Sequence, residues 1–133
     1  MNVGLLLITH GNLGEELLHT ATAMLGHCPL SAKALAVHMD SDPDQVLQAA
    51  IRACRSLDKG EGVLIFTDLY GSTPSNIANR LRDTCKVEVV TGVNIPMLVR
   101  ALNYPDLNLA QLCIKATSGG RDGVFTCNGT PEN

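Results

Sequence analysis

The 133-residue chain has no tryptophan, and its aromatic residues are limited to Phe66, Phe125, Tyr70 and Tyr104. So sparse a set excludes a base-stacking platform for single-stranded nucleic acid. Positive charge is short as well: 10 Lys and Arg stand against 13 Asp and Glu, a formal net charge of −3. A phosphate backbone is held mainly by a cationic surface, so nucleic acid is not an expected partner. No apolar run is long enough to span a bilayer. The run at residues 3–8 stops at Thr9 and His10, and no basic segment precedes it as in a secretion signal. A cytoplasmic location is therefore expected. The five cysteines show no CxxC-like spacing, and an odd count does not close into a disulfide set. They read as small buried hydrophobes in a reducing compartment, with no metal centre.

What is present is a hydrophobic content of 45% with only 17% charged residues, enough for a packed core in one domain, residues 1–133. Short apolar runs alternate with helical patterns. Residues 3–8 are continuously apolar, as in a strand buried on both faces. Leu13, Leu17, Ala21 and Met24 then recur at helical spacing. Residues 34–38 form a second strand, and Asp42-Pro43 opens a helix with an N-cap and a proline at its first position. Residues 63–67 are a third strand, followed by Thr73-Pro74 as a second cap-and-proline signal. Residues 86–91 are a valine-rich fourth strand. Pro96 opens a short helix to Leu102, and another starts at Asp106 or Asn108. Residues 118–133 read as a glycine-rich tail, flexible or strand-exchanging, with Val124-Phe125 as an extra C-terminal edge strand.

This alternation predicts an α/β three-layer sandwich: a mainly parallel sheet of order 2-1-3-4 with helices on both faces. In that order the connections leave strands 1 and 3 for opposite faces, and ligands bind in the crevice between them. Function is expected just after Ile8 and just after Thr67. Strand 1 runs there into Thr9-His10-Gly11-Asn12, and strand 3 into Asp68-Leu69-Tyr70-Gly71-Ser72-Thr73-Pro74. A carboxylate bonded to one imidazole nitrogen fixes the tautomer and leaves the other nitrogen as a nucleophile. His10 with Asp68 suits covalent phosphoryl chemistry. Gly11 and Gly71 allow close backbone approach, and Ser72 and Thr73 add hydroxyls at a helix N-terminus that favours anions. Neither loop contains Lys or Arg, which suits transient holding of a phosphoryl group. His19 and His27 are expected on the helix surface, His38 at the rim of the crevice. Asp40, Asp42 and Asp44 imitate a calcium loop, but Gln45 and Ile51 stand where it needs Gly and Glu.

The stretches Gly4-Leu5-Leu6-Leu7-Ile8-Thr9-His10-Gly11, Asp68-Leu69-Tyr70-Gly71-Ser72-Thr73-Pro74-Ser75-Asn76 and Thr91-Gly92-Val93-Asn94-Ile95-Pro96-Met97-Leu98 carry a resemblance. In order and spacing they are similar to the mannose-family enzyme IIA components of the bacterial phosphoenolpyruvate-dependent sugar phosphotransferase system. The resemblance implies a phosphotransferase that needs no cofactor. His10 would take a phosphoryl group from the histidine phosphocarrier protein and pass it to an enzyme IIB protein in trans, in sugar uptake or its regulation. Asp68 would orient His10. Ser72 and Thr73 depart from the family's usual Gly-Ser at these positions, though Thr73 keeps the hydroxyl. Thr9, Asn12, Asn94 and Pro96 would support the same face, with Met97 at the partner surface. A homodimer is implied too, and contact with a membrane only through the permease complex. The rival readings are the phosphotransfer subunit of a dihydroxyacetone kinase and a non-catalytic module that senses an anion or a partner.

Overall fold

The structure, a computed structural model, describes residues 2–128. A four-stranded parallel sheet of order β2-β1-β3-β4 forms its middle layer, as the alternation predicts. The strands are β1 (Gly4–His10), β2 (Ala32–Val37), β3 (Val63–Thr67) and β4 (Val87–Thr91). The helices are α1 (Leu13–Leu25), α2 (Pro43–Leu57), α3 (Thr73–Arg80), α4 (Ile95–Leu102) and α5 (Leu109–Asp122), with a 3-10 turn at Leu81–Asp83.

Alternation along the strands divides the core in two. Leu5, Leu7, Leu64 and Phe66 point to one face, covered by α1, α4 and α5; Leu6, Ile8, Val63 and Ile65 point to the other, covered by α2 and α3. Residues 5–8 and 63–66 are completely buried, which is why they read as unbroken apolar runs rather than alternating ones. The connections after β1 and β3 do leave for opposite faces. The pairs Ile8↔Thr67 and His10↔Val37 bring the C-terminal ends of β1, β2 and β3 to one edge of the sheet.

Two expectations need correction at the C-terminal end. Residues 118–122 belong to α5, and residues 123–128 contain no strand, so Val124-Phe125 is not an edge strand. Residues 129–133 of the expected tail lie outside the described residues. The helical continuation has a packing cause. A Cβ on Gly119 would stand 2.4 Å from the Arg100 Cβ, and one on Gly120 would stand 2.8 Å from the Met97 Cε. These glycines are where α5 lies closest to α4, not where the chain loosens. The buried stripe of α1 is also displaced: Ala21 is buried, but Leu13 and Met24 are largely exposed. Gly14, absent from that stripe, is buried instead against β1.

Candidate functional site

His10 is the last residue of β1, and Asp68 is the first residue after β3. Their strands are neighbours, so the two side chains meet: His10 Nδ1 and Asp68 Oδ2 are 2.7 Å apart. The same oxygen accepts the His10 main-chain N–H at 3.1 Å. Because Asp68 is acceptor-only when ionised, the contact places the single proton of a neutral ring on Nδ1 and leaves that ring's lone pair on Nε2. Asp68 is mostly buried, with 12% of its side chain exposed, whereas His10 is 53% exposed. The pair thus combines a sheltered, fixed carboxylate with an accessible imidazole. Nε2 has no partner among the described residues, and neither does Asp68 Oδ1, which is buried.

Beside His10 lies a cavity of about 420 Å3, bordered by the β2–α2 turn and the start of α3; His38, Ser41 and Thr73 contribute its polar lining. Thr73 is the first residue of α3, and Ser72 occupies the N-cap, one position earlier than the cap-and-proline signal suggests. The first N–H groups of a helix have no intrahelical acceptor, so those of Thr73 and Ser75 are open to an anion. Ser72 is turned inward: its hydroxyl donates to the Leu69 carbonyl and closes the loop. Gly71 has φ +82° and Gly11 φ +52°, left-handed conformations that account for glycine at both positions. The Gly11 N–H already donates to the Val37 carbonyl at 2.9 Å, so it is not a free anion donor as expected.

The remaining candidates separate into near and remote. Thr9 is fully buried, and its Oγ1 accepts the Gly14 N–H at 2.8 Å. It therefore caps α1 in place of Asn12, which sits at the N-cap of that helix without a side-chain bond. Asn94 caps α4: its Oδ1 accepts the Met97 N–H at 2.9 Å and its Nδ2 donates to the Gly120 carbonyl at 3.1 Å. With Pro96 at the start of α4, it ties α4 to α5. Met97 is 4% exposed and packed in the core, which corrects its assignment to a partner surface. The apolar side chains that do project near the site are Leu13, Met39, Leu69 and Tyr70.

The cysteines divide as well. Cys54 is buried, Cys85 and Cys113 are partly buried, and Cys28 and Cys127 are exposed, so only some are core residues. Burial pushes the Cys54 thiol up to about 12, helped by the neighbouring Cys85 thiol. Burial also raises Cys113. Cys54 and Cys85 are therefore neighbours in space, although 31 positions apart in sequence. Among the described residues, no three His, Cys, Asp or Glu side chains converge to hold a metal ion. No helix there is long and apolar enough to cross a membrane.

Comparison with known proteins agrees with this architecture. Residues 4–117 match the EIIA-man family, described as the PTS system fructose IIA component. The PTS system mannose-specific EIIAB component of Escherichia coli (strain K12) is 33% identical across 98% of this chain. The chain spans 41% of that relative's length. The transcriptional regulatory protein LevR of Bacillus subtilis (strain 168) is 29% identical over 80% of this chain and 12% of its own. Among solved structures, the mannose/sorbose specific IIA subunit of the phosphotransferase system from Enterococcus faecalis superposes with a TM-score of 0.86. It is 26% identical, over 100% of this chain and 99% of that one. The PTS IIA protein associated with the fucose utilization operon of Streptococcus pneumoniae gives a TM-score of 0.74 at 26% identity, covering 95% and 93%. With nearly its whole length matched in sequence and in fold, the chain belongs to the EIIA-man family of phosphotransferase-system IIA components.

Proposed function

We propose that this chain is a phosphocarrier whose His10 Nε2 accepts a phosphoryl group from the histidine phosphocarrier protein and delivers it to an enzyme IIB protein. The observation that carries the reading is the 2.7 Å contact between His10 Nδ1 and Asp68 Oδ2, which in the neutral ring leaves the lone pair on Nε2 of a half-exposed imidazole. In the transfer, the Nε2 lone pair attacks phosphorus in line. The phosphorus–nitrogen bond of the donor phosphohistidine breaks, and its electron pair stays on the donor nitrogen. No proton needs to move: the His10 ring keeps its Nδ1 proton and becomes cationic as the new bond forms. Asp68 stabilises that charge. The open N–H groups at the start of α3 and the Thr73 hydroxyl meet the equatorial oxygens. Positioning dominates, because transfer between two imidazoles asks little other chemistry of the protein. The second transfer reverses these roles toward the IIB histidine.

The family membership supports the sugar phosphotransferase assignment over a dihydroxyacetone kinase subunit or a non-catalytic sensor. Incubation with phosphoenolpyruvate, the general phosphotransferase enzyme and the histidine phosphocarrier protein should give an acid-labile, base-stable label. An enzyme IIB protein should then discharge it. His10→Ala should not label; a label that persists in this variant refutes the assignment. The homodimer belongs to the same proposal, and sedimentation equilibrium of the unlabelled protein tests it: a monomer at micromolar concentration removes it.

A further inference from the structure

A phosphoryl group on a side chain carries a charge of about −1.5 to −2 near neutrality. The loops at this edge of the sheet are poorly suited to meet it. Residues 11–12, 38–42, 68–72 and 92–94 contain no lysine or arginine. They do contain Asp40, Asp42 and Asp68. Besides His10 itself, the lining of the cavity beside it has one side chain that can become cationic, His38.

The topology sets His38 on the correct side of His10. In the order β2-β1-β3-β4, His10 lies between the end of β3, which bears Asp68, and the end of β2, which His38 follows directly. Asp68 takes Nδ1 from the β3 side. Val37 is the register partner of His10, and its carbonyl accepts the Gly11 N–H at 2.9 Å. The next residue, His38, donates its main-chain N–H to Ser41 Oγ at 2.9 Å. The backbone under His38 is thus held from both sides, while its side chain is exposed and free to turn. Adjacent strands lie about 4.8 Å apart, so an imidazole on β2's end reaches across to a group carried by β1's end.

We propose that His38 is a second imidazole of the site, which contacts the phosphoryl group on His10 Nε2 and offsets its charge as an imidazolium. The inference rests on the phosphocarrier reading above. The charged residues in the same turn and at the start of α2 are acidic: Asp40, Asp42 and Asp44. The guanidinium of Arg80 lies 4.0 Å from Asp44, and both of these side chains are exposed. Charge-assisted contacts of this kind are about twice as strong as neutral ones. Phosphorylation of His10 should therefore raise the pH at which His38 titrates, and the phosphorylated state should gain stability as the pH falls.

The test uses the full chain, labelled with nitrogen-15 in its histidines. His38 is titrated by NMR before and after phosphorylation through the phosphocarrier protein. The expected result is an upward shift of the His38 midpoint by about one pH unit on phosphorylation. In parallel, the equilibrium occupancy of phospho-His10 against the phosphocarrier protein is measured at pH 6 and pH 8.5. His38→Leu should reduce occupancy about tenfold at pH 6 and little at pH 8.5. His38→Arg should restore it at both. An unmoved His38 midpoint in the labelled wild-type protein, or an equal loss at both pH values, overturns the inference while leaving the phosphocarrier reading intact. Absence of any label on His10 overturns both.

Discussion

Replacing Asp68 by asparagine separates what the carboxylate does by shape from what it does by charge. Asp68 Oδ2 accepts two donors from the same residue, the ring Nδ1–H and the main-chain N–H of His10. The second donor cannot change its protonation. An asparagine facing both must therefore present its oxygen there, not its amide nitrogen, and the ring proton stays on Nδ1. The correct tautomer survives and the negative charge does not. A hydrogen bond to a charged group contributes about 1.5–3 kcal/mol and a neutral one about 0.5–1.5 kcal/mol. The imidazolium formed on transfer should thus lose about 1–2 kcal/mol of support, which slows phosphoryl acceptance roughly 5- to 30-fold. This is far milder than the loss of about 10⁴ when an asparagine in a catalytic triad imposes the wrong tautomer. The amide nitrogen takes the place of Asp68 Oδ1, which is already buried without a partner in the native protein, so the exchange orphans no new group and the fold should be retained.

Rapid-quench transfer from the phosphocarrier protein gives the rate, nitrogen-15 chemical shifts of His10 give the tautomer, and urea unfolding gives the stability. A rate within twofold of the unaltered protein would remove the carboxylate charge from the mechanism. A loss near 10⁴ with an intact fold, and the proton on Nε2, would refute the claim that the main-chain donor selects the oxygen.

Thr9→Val preserves shape but removes the hydroxyl that accepts the buried Gly14 N–H. It should cost about 1–3 kcal/mol in urea unfolding, and a loss below about 0.5 kcal/mol would show that α1 does not depend on this cap. Cys54 gives a pH signature. Its thiol has a reference value of 9.0 and is pushed up to about 12 in the fold, so above pH 9 the unfolded chain releases its proton while the native one keeps it. Stability should therefore fall as the pH rises from about 9 toward 12, with a flatter decline in Cys54→Ala. Parallel declines for the two proteins would exclude Cys54 as the source.

The sheet order and the meeting of His10 with Asp68 were legible because both follow from strand periodicity. Continuous apolar runs mark strands buried on two faces, and residues at the ends of adjacent parallel strands converge whatever fills the loops. Interactions between helices leave no such mark. Gly119 and Gly120 carry the same letters as a loose tail, yet a Cβ at either would collide with Arg100 or Met97 on α4. Met97 lies beside site motifs in sequence but turns into the core, since α4 must bury one face and Met97 falls on it. Thr9 looks like a continuation of β1, and nothing local says that its hydroxyl holds the start of α1. Cys54 and Cys85 come together because α2 and the segment before β4 cover the same side of the sheet. In each case, what sequence spacing misses is a contact made after the layers have closed. The pairing of His10 with Asp68 needs only the sheet, which is why an accessible imidazole and its carboxylate can be read from two strand ends while the packing that supports them cannot.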